Sequence, residues 1–598
     1  MIEFYVNNKE VLLPEDFSFE LNDENPEITS KGEFSLDMTV SLLEPQNVIV
    51  FEFLNRLNKS TTLKTADALL RRNGVSHLGT IIDIVNTDVD VTFQYVAGNS
   101  ELKYNVKADN RKIWELTGWG TESTVNYARV LDSITNPSWT KNFVAAPLII
   151  GGQVYNNYTL NEGALNVPST ITGISNFIMQ PYLLYYINKF PELLGYRLVS
   201  NVLNTNLRAQ KMWMLNSADS LNYADALPDW TIAEFVDNIE GFFNVSFLVD
   251  PLNKTISIES LASSMAKKKT VTISKVLDAY ERNLPNTSRP LRFDFTRVIY
   301  KVGDSTYFRY QQLSDSVLEK CTIIEYANLT AMQNALWDTG NLNALIIHRD
   351  LATGNDYFYG APNINLYRVN CGSFNYLNLI NKFSTNGTKE KILELSIVPA
   401  EMNIKTRDVV WYNVSGQEIH FPWLHYQLPK CSNSYYIGSE QGFVDTVEKS
   451  IKTVQRQSIM EVALFTGKLL LYTQTDVIQN VPQIMYPFSH LDYYPEFGEP
   501  LDLGDRYAIF EAWKNTHFSP LATTTLRLIG PGGVVTEYHQ ESILDTDNEY
   551  VFKAIDNPDI KANNLFIYNN KKYMPISFNR QVSNKQTTVL GKFYRMLD

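Results

Sequence analysis

The segment Lys31-Gly32-Glu33-Phe34-Ser35-Leu36-Asp37-Met38-Thr39-Val40-Ser41-Leu42 alternates between apolar and polar side chains with a period of two. Successive side chains of an extended strand point to opposite faces, so Phe34, Leu36, Met38 and Val40 are predicted to meet a core while Ser35, Asp37, Thr39 and Ser41 face away from it. The same alternation recurs at Gly79 to Val85, Val89 to Val96 and Leu102 to Val106, with Asp88 and Ala97-Gly98-Asn99-Ser100 supplying turns between them. Aromatic residues make up 12% of the chain, a composition that suits half-buried strands. These patterns predict a mainly β, α+β protein in which residues 1–115 form an N-terminal β-barrel or sandwich.

Working outward, residues 116–215 read as an irregular β segment plus a helical connector. The connector is a helix predicted over Phe177 to Asn201, interrupted at Pro191, with Tyr182, Leu183, Tyr186, Ile187, Phe190 and Leu194 on one broad face. Residues 216–268 read as an α/β module. Thr231-Ile232-Ala233-Glu234 fits a capping box, followed at helical spacing by Phe235, Val236, Ile239 and Phe243, with Gly241 and Asn244 as the expected stop. A hairpin follows, Val245 to Val249 and Thr255 to Glu259 around Asp250-Pro251-Leu252-Asn253-Lys254.

Residues 269–450 are expected to form a second β-barrel-like region, with one helical stretch at Leu329 to Trp337 and a strand at Lys391 to Val398. That strand precedes Pro399 much as the opening strand precedes Pro45, which raises the prospect of two related barrels. Residues 451–598 read as a separate C-terminal β-sandwich, with a turn at Gly530-Pro531-Gly532-Gly533 and strands at Asn564 to Tyr568 and Val589 to Leu597.

At 598 residues the chain has room for about four domains of ~150 residues. Lys and Arg total 52 against 65 Asp and Glu, a formal charge of −13, which argues against gripping nucleic acid through its phosphates. An acidic wall can still let DNA slide past it. Cys321, Cys371 and Cys431 form no C-x-x-C pair and suggest neither a disulfide framework nor zinc. The start, Met1-Ile2-Glu3-Phe4-Tyr5-Val6, has no basic stretch before an apolar core, so no secretory signal is expected. No apolar run approaches the ~18 residues of a membrane-spanning segment. The best, Phe143 to Ile150, contains Pro147.

Motifs for chemistry are sparse. There is no H-E-x-x-H, G-x-S-x-G, phosphate-cradling G-x-x-x-x-G-K or G-x-G-x-x-G, and Gly118-Trp119-Gly120 is only a fragment. His420 and His425 are five apart, a spacing that shares a face of neither a helix nor a strand. His348-Arg349-Asp350-Leu351 with Asn355 matches a kinase catalytic loop, yet the phosphate-covering loop, the strand lysine and the D-F-G are missing. The aromatic clusters Asp492-Tyr493-Tyr494-Pro495 and Tyr357-Phe358-Tyr359 fit core or interface strands better than a sugar platform. No catalytic, cofactor or metal residue is therefore assigned. Abundant Tyr with modest charge favours permanent assembly.

Several motifs resemble the tail hub or baseplate hub proteins of phages and prophages of Bacteroidota, the crAss-like phages among them. The first runs from Asp16-Phe17-Ser18-Phe19-Glu20-Leu21-Asn22-Asp23-Glu24-Asn25-Pro26 through Gly32-Glu33-Phe34-Ser35-Leu36 and Asn47 to Phe53-Leu54-Asn55-Arg56-Leu57. The second is Leu227-Pro228-Asp229-Trp230-Thr231-Ile232-Ala233-Glu234-Phe235 with its hairpin. The third is Asn569-Asn570-Lys571-Lys572-Tyr573 followed by Gly591-Lys592-Phe593-Tyr594. Met38 to Leu42 departs from the pattern, in which a strand ending in Pro is expected.

The resemblance implies a virion structural protein: a homo-oligomeric ring of three, six or twelve copies, built from tube-type β-barrels with an α/β insertion. Such a ring contacts other tail proteins and surrounds an axial channel through which DNA passes non-specifically. Ser35, Asp37, Thr39 and Ser41 are the candidate channel-lining residues. The competing expectations are a tail-associated envelope-degrading enzyme or glycan-binding protein, and a secreted sugar-binding protein.

Overall fold

The computed structural model describes residues 2–56, 63–123, 129–166, 178–284 and 543–597, each with brief gaps at most. Between 285 and 542 it describes shorter pieces, among them 297–301, 321–328, 343–349, 356–360, 392–412, 418–431, 456–465 and 533–539. Most of the helical stretch expected at Leu329 to Trp337, the Asp492 to Pro495 cluster and Gly530 to Gly532 lie outside the described residues.

The N-terminal strands are β1 (Ile2–Val6), β2 (Lys9–Val11), β3 (Ser18–Glu24), β4 (Glu33–Ser35), β5 (Met38–Ser41), β6 (Ala66–Arg72), β7 (Val75–Asn86) and β8 (Asp90–Ala97). Short helices α1 (Pro26–Thr29) and α2 (Pro45–Val50) intervene, and the segment expected as a strand at Leu102 to Val106 is instead part of helix α3 (Asn99–Ala108), which buries Leu102 and Val106 four residues apart on one face. β1 and β2 are joined by Asn7 and Asn8, whose φ angles of 48° and 61° make the left-handed two-residue turn that twists with its strands. Phe4, Leu21, Met38, Val40, Leu70, Phe93 and Tyr95 pack into one core, so the sheet curls around its own apolar face.

The opening alternation is real but broken. Leu36 and Asp37 leave the strand, and the phase inverts across them: Ser35 is 1% exposed while Leu36 is 48% exposed, and from Met38 the expected phase resumes. A single residue of slippage exchanges the two faces of a strand, which is why one expected strand becomes two.

The strands close to the C-terminus do not stand apart. β3 pairs antiparallel along its full length with Lys571–Ser583, in the register Ser18↔Ser583 to Glu24↔Ser577. The path continues through Thr588–Met596 and Leu544–Ile555 to an edge strand, Val276–Asn283. Closed barrels were expected, but among the described residues no sheet closes on itself. The curled N-terminal sheet instead opens at β3 and hands its edge to these late strands. A second Asn-Asn turn, Asn569 and Asn570 at φ 50° and 60°, joins Leu565–Tyr568 to Lys571–Ser583.

The α/β module packs on a separate core. Its helices are α4 (Leu183–Leu193) and α5 (Ile232–Phe243), and its sheet is β9 (Arg197–Asn201), β10 (Val245–Asp250) and β11 (Thr255–Ser260) in the order β9-β11-β10. Phe190 contacts Phe235 and Phe247 at 5.0 and 6.0 Å between ring centroids. The helix expected to reach Asn201 stops at Leu193, and Gly195, at φ 81°, reverses the chain into β9, which runs parallel to β11. The capping box forms as read: Glu234 N–H donates to Thr231 Oγ1 (3.2 Å), and Thr231 N–H to Glu234 Oε2 (2.7 Å). The helix passes through Gly241 and ends at Asn244, which takes the left-handed conformation at φ 50°. No helix among the described residues is long and apolar enough to cross a membrane.

Replacing the cap, Thr231→Ala, should destabilise the protein by about 1 kcal/mol, read as a lowered urea midpoint at unchanged slope.

Candidate functional site

The four candidate channel-lining residues do not share one face. Ser35 is buried, and its Oγ accepts a hydrogen bond from Tyr95 N–H (2.8 Å), which repairs the ladder where β4 ends. Asp37 and Thr39 are exposed and Ser41 is half-buried. Gln94 Nε2 donates to Asp37 Oδ1 (2.8 Å), Thr39 and Thr92 join hydroxyls (2.9 Å), and Ser41 donates to the carbonyl of Val89 (3.4 Å). Together with Thr92 and Gln94 these side chains form an uncharged to weakly acidic ladder across β5 and β8, because Met38 to Ser41 lie opposite Phe93 to Asp90.

A second concentration of chemistry lies where β3 meets the late strands. Arg580 is 1% exposed and sits between two carboxylates: Nε is 3.2 Å from Asp556 Oδ1 and Nη1 is 3.3 Å from Asp23 Oδ2. It also donates to the carbonyl of Ile560. Arg72 reaches the other oxygen of Asp556 at 3.5 Å, and Ala562 N–H donates to Asp23. Beside this group His77 Nδ1 lies 2.8 Å from Glu33 Oε2. Burial raises the Asp23 pKa; Arg580 opposes that and the Glu33 charge adds to it. Burial also pushes Glu33 upward, but the His77 hydrogen bond and charge, with Arg72 and Arg580, outweigh it and hold the carboxyl below its ordinary range.

The α/β module reaches the same place. Asn99 Oδ1 accepts from Val249 N–H (3.0 Å) and its amide donates to the carbonyl of Phe247, so the start of α3 is stitched to β10. Asp250, Pro251 and Leu252 then wall a cleft of about 280 Å3 shared with Arg72, His77 and Arg580. The cleft is a junction of three chain segments. Sequence reading missed it because its charges come from residues 23 to 580, and no local spacing links them.

Elsewhere, His348 Nδ1 lies 3.0 Å from the carbonyl of Tyr326 and Arg349 pairs with Glu325 (3.1 Å), while Asp350 to Asn355 lie outside the described residues. His420 and His425 both fall on the strand Glu418–Lys430, and Tyr357 to Tyr359 on Asp356–Gly360. Cys431 is buried and Cys321 half-buried; Cys371 is outside the described residues. Among the described residues no group of three or more His, Cys, Asp or Glu is placed to hold a metal ion.

No family model matches the chain, and no curated protein does. Two solved structures are similar along nearly its whole length. One is the 43 kDa tail protein of prophage MuSo2 from Shewanella oneidensis, at 8% identity and a TM-score of 0.29, covering 99% of this chain and 97% of that one. The other is the tail protein from Neisseria meningitidis MC58, at 7% identity and a TM-score of 0.30, covering 99% and 95%. At such scores neither likeness establishes a function.

Arg580→Met should cost about 3 kcal/mol, because it leaves half-buried Asp23 beside a neutral side chain and Asp556 with Arg72 alone; equilibrium denaturation reads it directly. Glu33 binds its proton less readily in the fold than in the unfolded chain. Its contribution is therefore complete above the ordinary value of 4.5 and is lost as pH falls through the depressed native value. Glu33→Gln should flatten the fall of stability with acid below pH 4.5, measured by melts across a pH series, whereas an unchanged slope would contradict the assigned shift.

Proposed function

We propose that the chain is a structural subunit of a phage tail, a hub-type protein whose copies close into a ring around an axial DNA channel. The observation that carries this reading is the meeting of the tail-hub-like motifs. The first motif includes β3 and the third begins at the Asn569-Asn570 turn, more than 500 residues away, yet β3 and Lys571–Ser583 are neighbouring strands. The second motif supplies Trp230, whose indole N–H donates to the carbonyl of Ser458, and the capped helix α5. Motifs that fall on two paired strands and on a capped core helix read as architecture rather than as a reaction centre.

The polar ladder agrees with a channel role. Asp37, Thr39, Thr92 and Gln94 bind one another and offer DNA no cation, on a chain whose net charge is −13. Such a wall repels the duplex weakly and leaves it free to slide. In this reading Asp37, Thr39 and Ser41 face the channel and Ser35 supports them from the core. The other tail proteins above and below the ring are its partners, and the virion tail is its place.

Negative-stain electron microscopy of the purified chain should show closed rings of three, six or twelve copies with a central hole. A protein that remains monomeric at high concentration and is missing from tail particles, or that cleaves envelope glycans, overturns the proposal. Asp37→Arg with Thr39→Arg should leave ring formation intact and make the rings retain duplex DNA at low salt, measured by co-sedimentation.

A further inference from the structure

We infer that the subunits join head to tail, the apolar end of the N-terminal sheet of one copy seating on the outer face of the late strands of the next. This rests on the ring reading and names the surfaces that would close it.

The first surface is a cluster of large apolar side chains left in water. Leu43 is 73% exposed, Val85 66%, Ile49 51% and Phe53 39%. They come from three segments bound together at one end of the sheet: Leu42 N–H donates to Val89 O (2.7 Å), Phe53 N–H to Val48 O (2.8 Å), and Asn86 Nδ2 to Leu54 O (3.0 Å). The chain spends conformational energy to hold this arrangement. Glu52 and Phe53 both take positive φ, 54° and 61°, a region that costs a non-glycine residue on the order of 1 kcal/mol or more. Arg56 lies over the Phe53 ring, 4.4 Å from its centre. The exposed charged rim is mostly acidic: Glu44, Glu52, Asp83 and Asp88.

The second surface has the complementary character. Val276–Asn283 ends the long sheet and is exposed along nearly its whole length. Cross-strand pairing puts Tyr280, Val551 and Lys592 in one row and Asp278, Lys553 and Leu590 in the next, on the same face. Tyr280 is 52% exposed and Leu590 38%, while Val551 between them is covered and Tyr594, next along from Lys592, is buried against Ile28 and Met265, which bounds the open part of this face. Lys553 is opposed by Asp278, and Arg282 on the same face pairs with Glu549 (2.6 Å), which leaves Lys592 and the exposed Lys275 as net positive charge beside the apolar side chains. An apolar patch with an acidic rim thus faces an apolar patch with a basic surplus, both carried by one chain. Two different surfaces on each copy form a heterologous contact, the kind that generates a ring or an open filament rather than a two-fold dimer.

The test uses the full chain in analytical ultracentrifugation over a concentration series. Leu43→Asp with Val85→Asp, and separately Tyr280→Asp with Lys592→Glu, should each weaken self-association at least tenfold while leaving the melting curve unchanged. Mixed together, the two variants should stop at a one-to-one pair, since a single intact contact remains between them. A charge exchange, Lys592→Glu with Lys275→Glu, should lose assembly at low salt and recover it when Glu44→Lys and Glu52→Lys are added. Folded variants of both surfaces that associate as the wild type does, or a mixture that forms no pair, would overturn these surfaces and leave the ring itself standing. A wild-type chain that never associates would overturn the ring and this contact together.

Discussion

The architecture depends on the pairing of β3 with Lys571–Ser583. Seven residue pairs from distant parts of the chain are in register there, and among the described residues this is the strand pairing that carries the curled N-terminal sheet into the late strands. Backbone pairing alone does not select that register. Selection comes from Leu21 and Val582, which enter the N-terminal core, and from Arg580, which is held in place by Asp23 on one side and Asp556 on the other. Buried ion pairs contribute little net stability but penalise any arrangement that separates them, so the charge cluster acts on specificity more than on strength.

The junction also explains how the α/β module belongs to the same object. Asn99 reaches across to the backbone of β10, and α1 is fixed to the late strands by Asn25, whose side chain donates to Pro575 O (2.9 Å) and whose N–H donates to Ile576 O (2.9 Å). Lys268, in the link that leaves the module, pairs with Glu27 at 2.8 Å, both nearly buried. Three bodies therefore meet at short polar contacts drawn from loops and caps, and around a small apolar core that joins Ile28, Met265, Met574 and Tyr594. Their large aromatic clusters stay inside each body, as the Phe552, Phe578 and Phe593 rings do in the late sheet.

Local features were legible in the sequence. The capping box at Thr231, the hairpin after Asn244 and the alternation from Met38 onward are encoded within a few residues of one another, and they fold as read. The inverted phase at Ser35 was not legible, because a two-residue break leaves the apolar pattern looking continuous while Tyr95, 60 residues later, decides which side the hydroxyl serves. The strand at Arg197 reads as helix in the sequence because its apolar spacing continues that of α4, and Gly195 alone marks the reversal. Sheet continuity across the whole chain lay beyond any local pattern, as did the Arg580 cluster, since partners more than 500 residues apart leave no periodicity to detect.

A strand edge that waits for residues 577–583 gives the protein a built-in order of events. During synthesis the N-terminal sheet can collapse around Phe93 and Tyr95, but its β3 flank stays open until residues 577–583 have been translated. Contacts of such sequence separation form late and slowly. A nascent polypeptide that has not yet reached these residues lacks the finished late sheet, so the two halves of the long sheet join only after everything between them has left the ribosome.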